Sequence, residues 1–129
     1  MKAESEHRFD DASELFHQAW AGHGSDYEAA IAAHFLARHQ TDLELALEWN
    51  QRALEHGLAA PPAAVLTFMP SLYLNLGQAH AMLGQYGNAR RSLELGERFL
   101  SSLDESPYSE VVRDGYRRAK VRFESAGNV

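Results

Sequence analysis

Apolar residues recur every three or four positions along most of the chain, which places them on one face of an α-helix. Such a stripe in Phe9–Trp20 predicts a first helix. A second predicted helix, Ser25–Gln40, has alanines around much of its circumference, so we expect neighbouring helices to pack closely against it. The segment Thr41–Gly57 carries a third stripe and predicts a third helix.

Residues at the ends of these segments indicate where the helices begin and stop. Ser25 with Glu28, and Thr41 with Glu44, have the spacing of a capping box, in which each side chain satisfies a free backbone amide. Gly57 suits the left-handed residue that often follows a helix. These signals predict two short connections and therefore helices that are neighbours in space.

The middle of the chain is less regular. Prolines at positions 61 and 62 fit a helix start, and Ala63–Met69 could continue that helix up to Pro70. Proline removes a backbone donor and clashes with the preceding turn, so we expect a kink or a short break at Pro70. The pattern leaves open whether the helix before Pro70 is continuous with the helix after it.

Three further helices are predicted in the last part of the chain. Ser71–Leu100 contains two apolar stripes separated by a tight turn at Gly84. Ser106 followed by Pro107 has the form of an N-cap and a first helical residue. Gly115 interrupts the last stripe at a cost in helix propensity, which indicates close packing against a neighbour.

Length and composition indicate one soluble globular domain. The chain has 129 residues, 45% hydrophobic and 23% charged, and no cysteine. Disulfides, thiol catalysis and cysteine-ligated metals are therefore excluded. No apolar run approaches the roughly 20 residues of a membrane span, and the polar N-terminus does not have the form of a secretory signal. We expect a cytoplasmic protein that has no membrane partner.

Charge is negative in total but unevenly distributed. A formal net charge of −6 argues against nucleic acid as the main partner. Positions 1–60 hold eleven acidic and four basic side chains, whereas the last predicted helix is rich in basic residues. Either these are solvated faces, or an acidic end meets a basic end within one molecule or between two. The basic residues are Arg113, Arg117, Arg118, Lys120 and Arg122.

A repeat pattern is centred on the helix pair in Ser71–Leu100. This stretch resembles a tetratricopeptide repeat, a helix pair of about 34 residues. Three positions depart from the family pattern, namely His80, Leu93 and Gly96, and Ser101 stands where the family has its closing proline. The matching positions are Tyr73, Leu76, Gly77, Gly84, Tyr86 and Ala89.

The same pattern extends towards the N-terminus in weaker form. Ala12 and Ala46 are separated by one repeat length, and Ala46 and Ala89 are separated by one repeat length and nine further positions. The resemblance thus implies an N-terminal leader followed by one domain that begins halfway through a repeat. The segments are a leader (1–8) and a domain (9–126) made of a half repeat (9–24), a degenerate repeat (25–57), an insertion (58–69), the best repeat (70–102) and a capping helix (106–126).

The resemblance implies an all-α fold of five or six helices, in antiparallel pairs that form a short right-handed superhelix. It also implies a concave face, lined by the first helix of each pair, that binds a peptide or protein partner. We therefore expect a non-enzymatic protein–protein interaction module. Whether the groove is open or filled by the insertion is not decided by the pattern. The implied groove residues are Glu28, Ile31, Phe35, Arg38, Ser71, Leu74, Gln78 and Met82.

Two alternatives remain. The chain could be a self-assembling scaffold that forms a homodimer through Phe9–Trp20 or through the basic last helix. It could also bind a small molecule, or act as an enzyme of unrecognised type, with polar residues on inner helix faces. Those residues are His34, Asn50 and His80.

Histidines are the residues that most invite a metal interpretation. The chain has seven, but no two are four residues apart on one helix, and no H-E-x-x-H motif occurs. Glu14 and His17 have the spacing used in carboxylate-bridged metal sites, which need a second such pair on another helix, and the predicted helices carry none. Catalytic serine motifs and phosphate-binding glycine loops are also missing. We therefore expect no metal, no cofactor and no catalytic residue.

Overall fold

The structure is a computed structural model that describes residues 25–127. Within this range the protein is all-α, with six α-helices, one 3₁₀ helix and no strand, which confirms the predicted fold class. The predicted leader (1–8) and first helix (Phe9–Trp20) lie outside the described residues. The elements are α1 (Asp26–Arg38), α2 (Leu43–Ala59), α3 (Pro62–Val65), α4 (Met69–Met82), α5 (Tyr86–Glu97), a 3₁₀ helix (Leu100–Ser102) and α6 (Pro107–Gly127).

The chain divides into two compact units, Met1–Pro61 and Pro62–Val129, and the division falls within the predicted insertion. The residue before a proline is pushed towards extended conformations. Ala60, which precedes Pro61, has an extended backbone, and this proline effect ends α2. The prediction that Gly57 ends the helix in a left-handed conformation is wrong, because Gly57 is buried inside α2.

The first unit contains α1 and α2 as an antiparallel hairpin. The Nδ1 atom of His56, in the last turn of α2, lies 2.8 Å from Oδ1 of Asp26 at the start of α1. This contact joins the first turn of α1 to the last turn of α2, so the two helices are antiparallel. The alanines of α1 are buried, as their spread around the helix predicted. They are Ala29, Ala30, Ala32, Ala33 and Ala37.

Side chains at both N-termini of the hairpin cap the helices. Ser25 accepts a hydrogen bond from the backbone amide of Glu28 at 3.1 Å, which is the forward half of the predicted capping box. At α2 the cap is Asp42, one residue later than the predicted Thr41. The Asp42 carboxylate accepts from the amides of Glu44 and Leu45 at 2.9 and 3.0 Å. A carboxylate accepts two amides at once and also carries a favourable charge for a helix N-terminus.

The second unit begins with the short helix α3 and a turn. The amide of Phe68 donates to the carbonyl of Val65, and α4 then begins at Met69 with Pro70 in its first turn. The missing N–H of a proline costs nothing at that position. The predicted break at Pro70 is therefore confirmed, although α3 ends at Val65 and does not continue to Met69.

The connection between α4 and α5 is a Schellman turn. Gly84 has φ +75°, the one positive φ among the described residues. Its amide donates to the Ala81 carbonyl, and the Gln85 amide donates to the His80 carbonyl, both at 2.9 Å. These two bonds satisfy carbonyls that a helix end leaves unpaired, and they confirm the turn predicted at Gly84.

Helices α4 and α5 pack antiparallel through glycines. A Cβ atom added to Gly77 would lie 3.2 Å from the Ala89 carbonyl oxygen, and a Cβ added to Gly96 would lie 2.6 Å from the Cβ of Tyr73. The Tyr73 ring also stacks on Phe99, with ring centroids 5.9 Å apart. Residues near the start of α4 therefore face residues near the end of α5. The two helices are so close that side chains larger than glycine would not fit at these positions.

Helix α6 runs parallel to α4 and antiparallel to α5. Its residue Tyr116 donates a buried hydrogen bond of 2.6 Å to the Pro70 carbonyl at the start of α4. Further along, Phe123 lies against Gly77. At the other side, the Arg90 guanidinium of α5 donates to the Phe123 carbonyl at 3.1 Å. The core of the second unit consists of Leu74, Ala81, Ala89, Leu93, Leu103, Val112, Tyr116, Ala119 and Phe123.

The loop before α6 is fixed by hydrogen bonds from side chains. Ser106 caps the helix by accepting from the Ser109 amide at 3.2 Å, as predicted. The Asp104 carboxylate accepts from the Ser106 amide and from the Ser109 hydroxyl. The pKa of Asp104 is lowered to about 2 by the Ser106 side chain, the Ser109 side chain and the Ser106 amide, in that order. Arg113 donates to the Leu103 and Asp104 carbonyls. These contacts fix where α6 begins.

Replacement of Gly96 by alanine tests this packing. The new Cβ would collide with the Tyr116 hydroxyl and with Tyr73, so we expect the free energy of unfolding to fall by about 2–4 kcal/mol. Gly87→Ala is the matched control, because Gly87 lies in the same helix and a Cβ there meets no atom within 4 Å. That control should leave stability unchanged or raise it by up to about 1 kcal/mol. Urea denaturation followed by circular dichroism would measure both, and equal effects would contradict the packing described.

Candidate functional site

A groove runs between α4 and α6 in the second unit and encloses about 500 Å³. Its wall on α4 is formed by Leu74 and Gln78, one turn apart. We refer to it as the α4–α6 groove. It is lined by Leu74, Gln78, Val111, Gly115, Arg118, Ala119 and Arg122.

Small residues on α6 give the groove its shape. Gly115 and Ala119 are one turn apart and lie at the bottom, where Leu74 would be 2.8 Å from a Cβ atom at position 115. Gly115 thus marks a close approach of two helices, as its cost in helix propensity predicted. At one end Val111 is 68% exposed, although the sequence placed it in the buried stripe of this helix. The groove therefore combines an apolar floor with an exposed apolar side chain.

The rim of the groove is positively charged. Arg118 and Arg122 are one helical turn apart, and among the described residues no acidic side chain lines the groove. Outside the groove, Asp114 pairs with Arg117 at 2.7 Å and with Arg118 at 3.3 Å. The hydrogen bond from Arg117 and its charge lower the pKa of Asp114. The Arg122 guanidinium lies over the Phe123 ring, 5.1 Å from its centroid.

A second, smaller cleft of about 240 Å³ lies between α5 and α6. It carries both signs of charge, and Arg90 donates to the backbone carbonyl of Phe123. Lys120 Nζ lies 3.8 Å from Glu97 Oε1. Such a balanced surface has no clear preference for a charged ligand. The cleft is lined by Arg90, Leu93, Glu94, Glu97, Lys120 and Glu124.

The structure places the predicted groove residues of α4 in different environments. Leu74 and Gln78 line the α4–α6 groove, but Leu74 is only 8% exposed and belongs to the core. Ser71 is buried, and its hydroxyl forms a hydrogen bond with the Tyr108 hydroxyl of α6. Met82 is 63% exposed and lies outside the groove lining. A Leu74→Ala substitution would therefore change stability as well as any binding.

The predicted groove residues of α1 belong to the first unit. Glu28 and Arg38 are exposed, whereas Ile31 and Phe35 are half-buried. Sequence reasoning missed the contribution of α6, although its basic residues and Gly115 were visible signals.

The three polar residues predicted on inner helix faces are buried or form hydrogen bonds within the fold. Asn50 is buried and donates to the Ala46 carbonyl at 2.9 Å. His80 is half-buried at the end of α4, where its Nδ1 atom lies 2.7 Å from Oε1 of Gln85. His34 is 7% exposed, and burial, together with the nearby charge of Arg38, lowers the pKa of His34 to about 4. His80, which belongs to the second unit, lines neither of its two clefts.

Among residues 25–127, no cluster of three or more histidine and acidic side chains is arranged to hold a metal ion. In the same range, no helix has both the length and the apolar character needed to cross a membrane. No family model, no curated protein and no solved structure matches this chain.

The low pKa of His34 predicts a specific dependence of stability on pH. The unfolded chain takes up a proton near pH 6.5, whereas the folded chain does so only near pH 4. The unfolded state therefore binds more protons between these values, and stability falls as the pH drops from about 6.5 to 4. From pH 7 to pH 5 the loss from this group is on the order of 2 kcal/mol.

Replacement of His34 by glutamine should remove that part of the pH dependence. Urea denaturation at pH 7 and pH 5 would give the change for each protein, and other titrating groups cancel in the difference between them. We expect wild type to lose about 2 kcal/mol more than His34→Gln over this interval. Equal losses would show that His34 is not held neutral by burial.

Proposed function

We propose that this protein is a non-enzymatic interaction module that binds a peptide segment of a partner protein in the α4–α6 groove. The observation that carries the proposal is the groove itself, with its apolar floor and the exposed side chain of Val111. Exposed apolar surface next to a concavity is a common feature of protein-binding sites. The expected partner is a protein or peptide whose identity the groove does not specify.

The length of the groove favours a peptide as ligand. Val111 and Arg122 are eleven residues apart on α6, which corresponds to about 16 Å along the helix axis. An extended peptide advances about 3.3 Å per residue, so roughly five residues would fit along this strip. The lining side chains of the groove are distributed along that whole length. A linear ligand would therefore contact more of the site than a compact one.

A tetratricopeptide-like architecture is part of the same proposal. It is supported by the antiparallel pair α4 and α5, followed by α6 packed parallel to α4. In a helical-repeat array, successive first helices lie side by side and present a binding surface. The proposal assigns α4 and α6 of the second unit to those two positions. A homodimer and a small-molecule or catalytic role stay alternative predictions, as does the cytoplasmic location.

Two valines on α6 offer a matched test. Val111 and Val121 are 68% and 67% exposed, but only Val111 lines the groove. Peptides selected from a random display library on the wild-type protein should bind Val111→Gln about tenfold more weakly or worse. Val121→Gln should bind them as wild type does. Fluorescence anisotropy with a selected, labelled peptide would measure both affinities.

Circular dichroism and thermal denaturation should show that both variants keep the wild-type fold, since both positions are exposed. A library that yields no binder, or selected peptides that bind both variants equally well, would overturn the proposal.

A further inference from the structure

We infer that the α4–α6 groove selects a peptide segment that carries acidic side chains beside an apolar one. This inference rests on the proposed function and adds the chemistry of the ligand. It starts from the contrast between the groove and the rest of the molecule. The chain has a formal net charge of −6, yet the described residues that line the groove include two arginines and no acidic side chain. An acidic segment is attracted to this surface, and it is repelled by much of the remaining protein.

The spacing of the arginines matches a pair of carboxylates. Arg118 and Arg122 are one turn apart, so their Cβ atoms are separated by about 6 Å. In an extended peptide, residues i and i+2 point to the same side and are about 7 Å apart. Two acidic residues separated by one position could therefore each reach one guanidinium. An arginine donates two parallel hydrogen bonds to a carboxylate, which adds directional preference to the attraction.

The position of Val111 adds an apolar requirement. Val111 lies seven residues before Arg118, which is about 10 Å along the axis of α6. An extended peptide covers that distance in about three residues. Side chains that point to the same side are an even number of residues apart, and four is the nearest such spacing, so the expected ligand has an apolar side chain four residues away from the nearer of its two acidic residues. The geometry is the same for either direction of the peptide.

Existing contacts do not prevent the arginines from binding a ligand. The Arg118 side chain is 79% exposed, and its contact with Asp114 is 3.3 Å long. Exposed ion pairs of this kind contribute little stability, so a ligand carboxylate can replace this one. Asp114 would keep its shorter contact of 2.7 Å with Arg117. The α5–α6 cleft has no comparable excess of one charge.

The experiment uses three synthetic probes and two variants of the full chain. The first peptide contains leucine followed four residues later by an Asp-x-Glu unit, with both ends blocked so that no terminal carboxylate contributes. The second replaces the acidic residues by asparagine and glutamine, which keep the size and remove the charge. The third probe is a single-stranded RNA oligonucleotide, an anion of a different class. All three are measured by fluorescence anisotropy at low and at high salt.

We expect the acidic peptide to bind at least about tenfold more tightly than the amide peptide at low salt. This difference should shrink as salt screens the charges. Arg118→Glu should abolish the difference. Arg117→Glu is the matched control, since Arg117 is the neighbouring exposed arginine, contacts the same Asp114 and lies outside the groove lining. That variant should keep the preference within about twofold, and circular dichroism should confirm the fold of both.

Three results would overturn the inference. These are equal binding of the acidic and amide peptides, tighter binding of the RNA, or equal effects of the Arg117 and Arg118 variants. A failure here is distinguishable from a failure of the proposed function. If random-library selection yields Val111-dependent peptides without enriched aspartate or glutamate, the groove binds peptides and only its acidic preference is wrong.

Discussion

The second unit depends on one buried contact, the hydrogen bond from the Tyr116 hydroxyl to the Pro70 carbonyl. The tyrosine reaches that carbonyl because Gly96 has no Cβ to occupy the space. A buried hydroxyl without a partner would cost roughly 1–3 kcal/mol, so the bond fixes α6 in one position against the first turn of α4. Burial raises the pKa of Tyr116, which keeps its hydroxyl protonated and able to donate. This one contact therefore involves the start of α4, the glycine surface of α5 and the middle of α6.

The same contact determines the groove. When α6 is held beside α4, Gly115 and Ala119 lie opposite Leu74, and their small volume leaves a channel where larger residues would interlock. The helical period then places different residues of α6 on different sides. Residues such as Tyr116 and Phe123 point into the core, whereas their near neighbours along the chain lie on the groove rim. The proposed binding surface thus lies on the face of α6 that the core does not use.

Local signals in the sequence predicted much of the fold. The break at Pro70 and the turn at Gly84 follow from the conformational limits of proline and the freedom of glycine, which act wherever these residues occur. Gly57 was misjudged because glycine permits a left-handed conformation without requiring it, and the two prolines that follow decide where α2 ends. Thr41 and Asp42 are adjacent and both can cap a helix, so the sequence did not distinguish them. The path of the loop makes Asp42 the capping residue of α2.

The candidate site was harder to predict because it depends on contacts between distant parts of the chain. An apolar residue on α4 can face either a groove or another helix, and the repeat pattern alone does not distinguish them. Leu74 illustrates this: its spacing marked a groove position, yet α6 covers most of it and makes it part of the core. Val111 is the reverse case, since its periodicity indicated burial while the position of α6 leaves it exposed. Residues of α4 therefore contribute to the core as well as to the proposed binding groove, whereas the exposed residues of α6 can be changed with little effect on the core. For this reason substitutions on α6 test the proposed binding without a large change in stability.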